Sequence, residues 1–270
     1  MLKDITIGQY FPGNSFLHRL DPRVKILLTI AYIVMLFVVS NSIGFLIGIA
    51  LLVISYLVAK IPFKMMLKGI KPIIPIVIFT GILNLFFVSG TPLVQFWSVT
   101  ITLEGVRLAV FMAVRILALI AGASLLTYTT SPIELTDAIE SLLKPLKYIR
   151  FPVHELAMMM TIALRFIPTL IEETDKIMSA QKARGADFES GNLIQRAKAL
   201  VPILIPLFIS AFRRADDLAM AMECRCYHGG EGRTRLRQMH LGLIDLYGAL
   251  ILTGCIVGVI LVNLFVPVVF

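Results

Sequence analysis

Thirty-four consecutive residues, Ile26 to Ala59, carry no charged side chain. One helix of that length would reach about 50 Å, far beyond the ~30 Å hydrocarbon core of a bilayer. The run reads instead as two short membrane helices, broken near Ser40-Asn41-Ser42 and Gly44, residue types that favour turns. A second uncharged run, between Lys71 and Glu104, predicts one span to about Ser89 and then a polar loop containing Trp97. Val106 to about Tyr128 continues as a fourth span, although it carries Arg107 and Arg115, and Leu243 to Phe265 supplies a fifth. With 58% of its residues hydrophobic and only 16% charged, the chain is too apolar for an ordinary soluble domain. The expected fold class is all-α, a polytopic membrane protein with about five transmembrane helices.

Lysines and arginines sort by loop. Four precede the first span (Lys3, Arg19, Arg23, Lys25), four lie between the second and third (Lys60, Lys64, Lys68, Lys71), and fifteen lie between residues 129 and 240. The loops around Asn41 and from Gly90 to Thr102 have none. Cytoplasmic loops carry the excess of Lys and Arg. The N-terminus, the second loop and residues 129–240 are therefore expected in the cytoplasm, with the C-terminus outside. Arg107 departs from this pattern and is placed to pair with Glu104. Arg115, deep in its span, is by default a candidate for a substrate path. A structural pairing with another span is the preferred expectation, with Asp245 as partner if the helices are suitably staggered. Topology and attraction to the lipid bilayer account for the net charge of +8. No aromatic-basic array accompanies it, so nucleic acid is not an expected partner.

Three parts follow: residues 1–128, an N-terminal membrane domain with four transmembrane helices; residues 129–240, a cytoplasmic domain of long amphipathic helices; and residues 241–270, the final transmembrane helix. The middle part opens with Ser131 as N-cap, Pro132 at the first helical position and Glu134 three residues after the cap. Ile133, Leu135, Ile139, Leu142 and Leu143 make one apolar stripe. A longer helix is predicted from about Val153 to Arg184, with Gly185 and Gly191 flanking its end. A third is predicted from about Leu193 to Tyr227, stopped by Gly229-Gly230. Its apolar stretch, Ala199 to Phe212, is short for a span and reads as a buried or interfacial helix.

The two long helices share a seam. Ala163, Ile167, Leu170, Thr174, Ile177, Gln181 and Arg184 follow a 4-3-4-3-4-3 spacing, as do Leu204, Phe208, Ala211, Ala215, Leu218, Met222 and Arg225. That spacing keeps each set on one helix face. Each seam ends in an arginine. A lone cation in a last helical turn ordinarily gains about 0.3–1 kcal/mol from the helix dipole. Two such arginines, flanked by Ala183 and Gly185 and by Cys224 and Cys226, suggest docking, because a guanidinium offers a five-donor fork and small neighbours admit another surface.

Other chemistry finds little support. No G-x-x-x-x-G-K-[ST] occurs, so no P-loop nucleotide site is expected, and no cofactor. His154-Glu155 lacks the second histidine of a zinc protease motif. In Cys224-x-Cys226-x-His228, successive candidate ligands two positions apart point about 200° apart on a helix, and no second ligand cluster exists, so no metal is expected there.

The residues "LHRLDPRVK" at 17–25, "KARGAD" at 182–187 and "AMECRCYHGG" at 221–230, set among apolar spans, resemble the transmembrane (T) component of energy-coupling factor transporters. The resemblance covers essentially the whole chain. It implies a non-catalytic membrane scaffold that links two cytosolic ABC-type ATPase subunits to a separate substrate-capture membrane protein for a vitamin or metal ion. Paired Ala-Arg-Gly motifs in that family end two coupling helices and dock on the ATPases. The matching residues are Ala183, Arg184 and Gly185, and then Glu223, Cys224, Arg225 and Cys226, where cysteines stand in place of both small partners. The resemblance assigns contact with the capture protein to an apolar platform, here Leu142, Leu143, Ile203, Leu207 and Phe208. Two other readings stay open on the residues alone: a conventional ABC importer permease that lines the pathway itself, and an intramembrane metalloenzyme using Cys224, Cys226 and His228.

Overall fold

The structure, a computed structural model, describes residues 10–96, 99–188, 192–229 and 239–265. Trp97, Gly191, Gly230, Lys3 and the C-terminal Pro267 to Phe270, all used in the readings above, lie outside the described residues. The chain divides into two units, one of Gly8–Leu135 with Gln238–Phe270 and one built on Thr136–Arg237.

The first unit holds α1 (Phe16–Arg19), α2 (Pro22–Val38), α3 (Ser42–Ala59), α4 (Phe63–Ile70), α5 (Ile74–Phe87), α6 (Leu103–Thr129) and α10 (Leu243–Phe265). The predicted break in the long uncharged run falls where α2 gives way to α3. Polar groups buried in such a turn, as Asn41 is, need partners. Here the end of α10 supplies them: Ser40 N donates to Asn263 Oδ1 at 3.4 Å, Asn41 Nδ2 to Val262 O at 3.3 Å, and Asn263 Nδ2 to Val38 O at 2.9 Å.

Helix α6 packs against α2, α3, α4 and α5, and α10 against α2 and α3. Tyr32, Met35, Leu36 and Val39 recur at helical spacing along α2 and meet Phe45, Ala118, Leu252 and Val259 in the core. Close approach depends on absent side chains. A Cβ on Gly122 would overlap the Tyr32 ring, and one on Gly48 would press on Leu36. Small residues at helix crossings are what bring apolar helices together without a hydrophobic drive from lipid.

Arg115 finds its partner in another helix, though not in Asp245. Its Nη2 donates to Val39 O at 2.8 Å, and its guanidinium lies 4.6 Å from the Phe111 ring centroid. Asp245 instead accepts from the backbone of Asp21 and Gly242. The carbonyl of Val39, just past the end of α2, has no intrahelical donor of its own, which makes it the available acceptor.

The expected polar loop after α5 is instead a hairpin of β1 (Pro92–Phe96) and β2 (Val99–Thr102), antiparallel with Gln95 opposite Thr100. Backbone pairing satisfies that segment internally, where a loop would depend on water. Glu104 steadies its base by accepting from Thr91 N at 2.8 Å and Thr91 Oγ1 at 2.9 Å.

The second unit contains α8 (Val153–Ala183) and α9 (Leu193–Glu223), which pack on each other. Between the two units in sequence runs α7 (Pro132–Leu143), whose predicted capping box is present: Ser131 Oγ accepts from Glu134 N, and Glu134 Oε2 from Ser131 N, both at 3.3 Å. Six helical stretches among the described residues are long and apolar enough to cross a membrane: α3, Phe63–Phe87, α6, α8, α9 and α10. That set differs from the expected five. It adds α8 and α9, whose charges crowd into their C-terminal halves and leave long apolar windows. It omits α2, whose 17 residues sit at the short limit for a span.

Candidate functional site: two arginine-ended helices

The two arginines close their helices in the same way. At the end of α8, Gly185 N donates to Lys182 O and Ala186 N to Gln181 O, both at 3.0 Å. At the end of α9, Cys226 N donates to Glu223 O at 2.9 Å and Tyr227 N to Met222 O at 3.1 Å. Each pattern is a Schellman motif with the arginine at the C-cap and the next residue left-handed. Gly185 has φ +87° and Cys226 φ +54°. Helix α9 thus ends at Glu223, four residues before the predicted Tyr227, because Cys226 takes the turning position that the sequence reading gave to Gly229. Glycine adopts that conformation without penalty, whereas a residue with a Cβ is held there at a cost of about 1–2 kcal/mol.

Ala183, Arg184 and Gly185 are exposed, as are Glu223, Cys224, Arg225 and Cys226. Among the described residues no hydrogen bond or ion pair engages either guanidinium. Each is therefore an exposed cation at a helix end, without a partner among the described residues.

A polar contact fixes how the helices meet. Ser210 Oγ donates to Glu173 Oε1 at 2.7 Å, and Arg214 Nη2 donates to the same oxygen at 3.2 Å. This contact also corrects the α9 seam. Its packed face runs through Ile203, Leu207, Ser210 and Arg214, while Leu204 and Phe208, placed on the seam by spacing, are 46% and 61% exposed.

The comparisons with known proteins decide the family. The profile of the cobalt transport protein family, CbiQ, matches residues 13–236. The energy-coupling factor transporter transmembrane protein EcfT of Clostridium kluyveri is 60% identical over 252 residues, covering 93% of each chain. Its namesake in Ruminiclostridium cellulolyticum is 58% identical, covering 91% of this chain and 92% of the relative. That of Listeria innocua is 47% identical, covering 91% and 93%. The chain belongs to this family of transporter transmembrane proteins.

It is therefore a multi-pass membrane subunit of an energy-coupling factor transporter and not an enzyme. The residues expected to meet a capture subunit differ in exposure. Ile203 is buried at 3% exposure, and Leu142, Leu143 and Leu207 are half-buried; only Phe208 stands well out. Sequence reasoning missed its exposed neighbours. Leu204, Ile205 and Phe212 join Phe208 on one outward stripe of α9. Their i, i+1, i+4, i+8 spacing was the signal, but spacing does not say which of two apolar faces is covered.

Proposed function

We propose that this chain is the scaffold that couples two cytosolic ABC-type ATPase subunits to a separate substrate-capture membrane protein importing a vitamin or metal ion. The observation that carries the reading is the pair of matching helix ends at Arg184 and Arg225. A conventional permease presents one coupling element per chain and gains a second by dimerising. Two such ends in one chain favour a single scaffold serving two ATPases. Ala183, Arg184 and Gly185 would dock on one ATPase, and Glu223, Cys224, Arg225 and Cys226 on the other. Purified from membranes in mild detergent, the complex should contain one copy of this chain for two ATPase subunits. Two copies of this chain per complex would favour the permease reading instead.

The same reading places residues 129–240 on the cytoplasmic side, with α8 and α9 lying outside the bilayer core. The distribution of Lys and Arg supports it. In a chain freed of native cysteines, one introduced at Lys144 should resist a membrane-impermeant thiol reagent in intact cells, and one at Ser42 should react. Labelling at 144 with protection at 42 would invert the orientation.

A further inference from the structure

We infer that four residues of the N-terminal motif, His18, Asp21, Arg23 and Lys25, form a clasp holding together the two places where the chain leaves and re-enters its membrane unit, and that this clasp transmits the coupling motion. The inference rests on the scaffold reading above. The chain leaves the membrane unit after α6 and returns ahead of α10, and the same short N-terminal stretch grips both places.

On the leaving side, Lys25 Nζ donates to Thr129 O at 2.9 Å and to His18 O at 3.2 Å. Phe11 N donates to Tyr128 O at 2.9 Å, and His18 Nε2 contacts Phe11 O at the same distance. On the returning side, Arg23 Nη2 donates to Met239 O at 2.9 Å. Asp21 N donates to Asp245 Oδ1 at 2.6 Å, and Asp245 Oδ2 accepts from Gly242 N at 2.8 Å. Asp21, Lys25 and Asp245 are 6%, 5% and 7% exposed.

Stability alone does not call for this arrangement. Buried charges are commonly matched or bettered for stability by apolar residues of similar size, whereas directed hydrogen bonds fix geometry. The bonds here run to backbone atoms at the end of α6 and to the approach and first turn of α10. Both covalent connections to residues 136–237 are therefore held to one rigid piece. A displacement delivered along either connection moves the other with it, as well as the start of α2. Without the clasp, each connection yields separately.

The test uses the whole complex, with ATPases and capture subunit, reconstituted in liposomes. Arg23→Gln removes the grip on Met239 from a partly exposed position, and Asp245→Asn weakens the grip on Asp21. Both should keep the ATPases bound and hydrolysing ATP while substrate imported per ATP falls about tenfold, a typical size for a coupling energy. Arg19→Gln is the charge-matched control, because its exposed side chain makes no hydrogen bond or ion pair among the described residues. It should import as the unsubstituted complex does. Unchanged import per ATP in both clasp variants overturns the inference. So does a fall in import that merely follows lost thermal stability or lost ATPase. If the unsubstituted chain brings down no ATPase, the scaffold reading itself fails and takes the clasp with it.

Discussion

Replacing Arg184 and Arg225 together with alanine should strip the ATPase subunits from the membrane complex and stop substrate uptake. Each arginine sits at the C-cap of a Schellman motif, with its side chain exposed and its donors unengaged among the described residues. Truncating one partner of a charge pair that becomes buried on docking costs about 2–5 kcal/mol. One lost site weakens assembly by that amount while the second still tethers the complex. Losing both removes the tether. The helix ends themselves should survive, because the Schellman bonds are made by backbone atoms. Lysine at either position should restore only part of the binding, since an ammonium cannot reproduce the planar fork. The measurement is co-purification of the ATPases with this chain, beside uptake in cells. If the double alanine variant keeps both, the arginines act only as helix caps and the docking proposal falls.

The second large effect is expected from Phe208→Asp combined with Phe212→Asp. These rings are 61% and 69% exposed and lie on a stripe with Leu204 and Ile205. Exposed apolar surface of this kind marks a site of interaction. Because neither ring is buried in the chain, charging them costs the fold little. A partner that covers them loses about 1.5–3 kcal/mol per ring, together on the order of a hundredfold or more in affinity. The capture subunit should therefore dissociate while the ATPases remain. Loss of the ATPases instead would reverse the division of labour between stripe and arginines. Retention of every subunit would assign the stripe to lipid. Ile203, also expected at this contact, is a poor place for the same test. It is buried, so a charge there would damage the fold first.

Much of the architecture was legible because it follows from one-dimensional rules. The polar break at Ser40-Asn41-Ser42, the capping box at Ser131 and the stop at Gly185 each depend on residues within a few positions of one another. The arginine pair was legible too, as a spacing. What stayed hidden depends on distant partners. No pattern near Asp245 reveals that it holds the backbone of Asp21, 224 positions away. Nothing around Arg115 names the Val39 carbonyl. The rotation of α9 was misread for a related reason: its apolar residues surround much of the helix, and a polar trio, Glu173, Ser210 and Arg214, selects the covered side. Cys226 was overlooked as a turning residue because Gly229, three positions further on, looked the better candidate.

The turn between α2 and α3 has a consequence for how the chain is made. Two of its donors, Ser40 N and Asn41 Nδ2, are satisfied by Asn263 and Val262, 223 and 221 positions further on. At roughly 5–20 residues per second of synthesis, that separation is about 10–45 s. For that interval the turn joining α2 to α3 lacks the partners that fix its conformation. Helix α10 is therefore the one that locks the α2–α3 turn, and the newborn protein stays open to rearrangement or to a waiting insertion factor until that helix arrives.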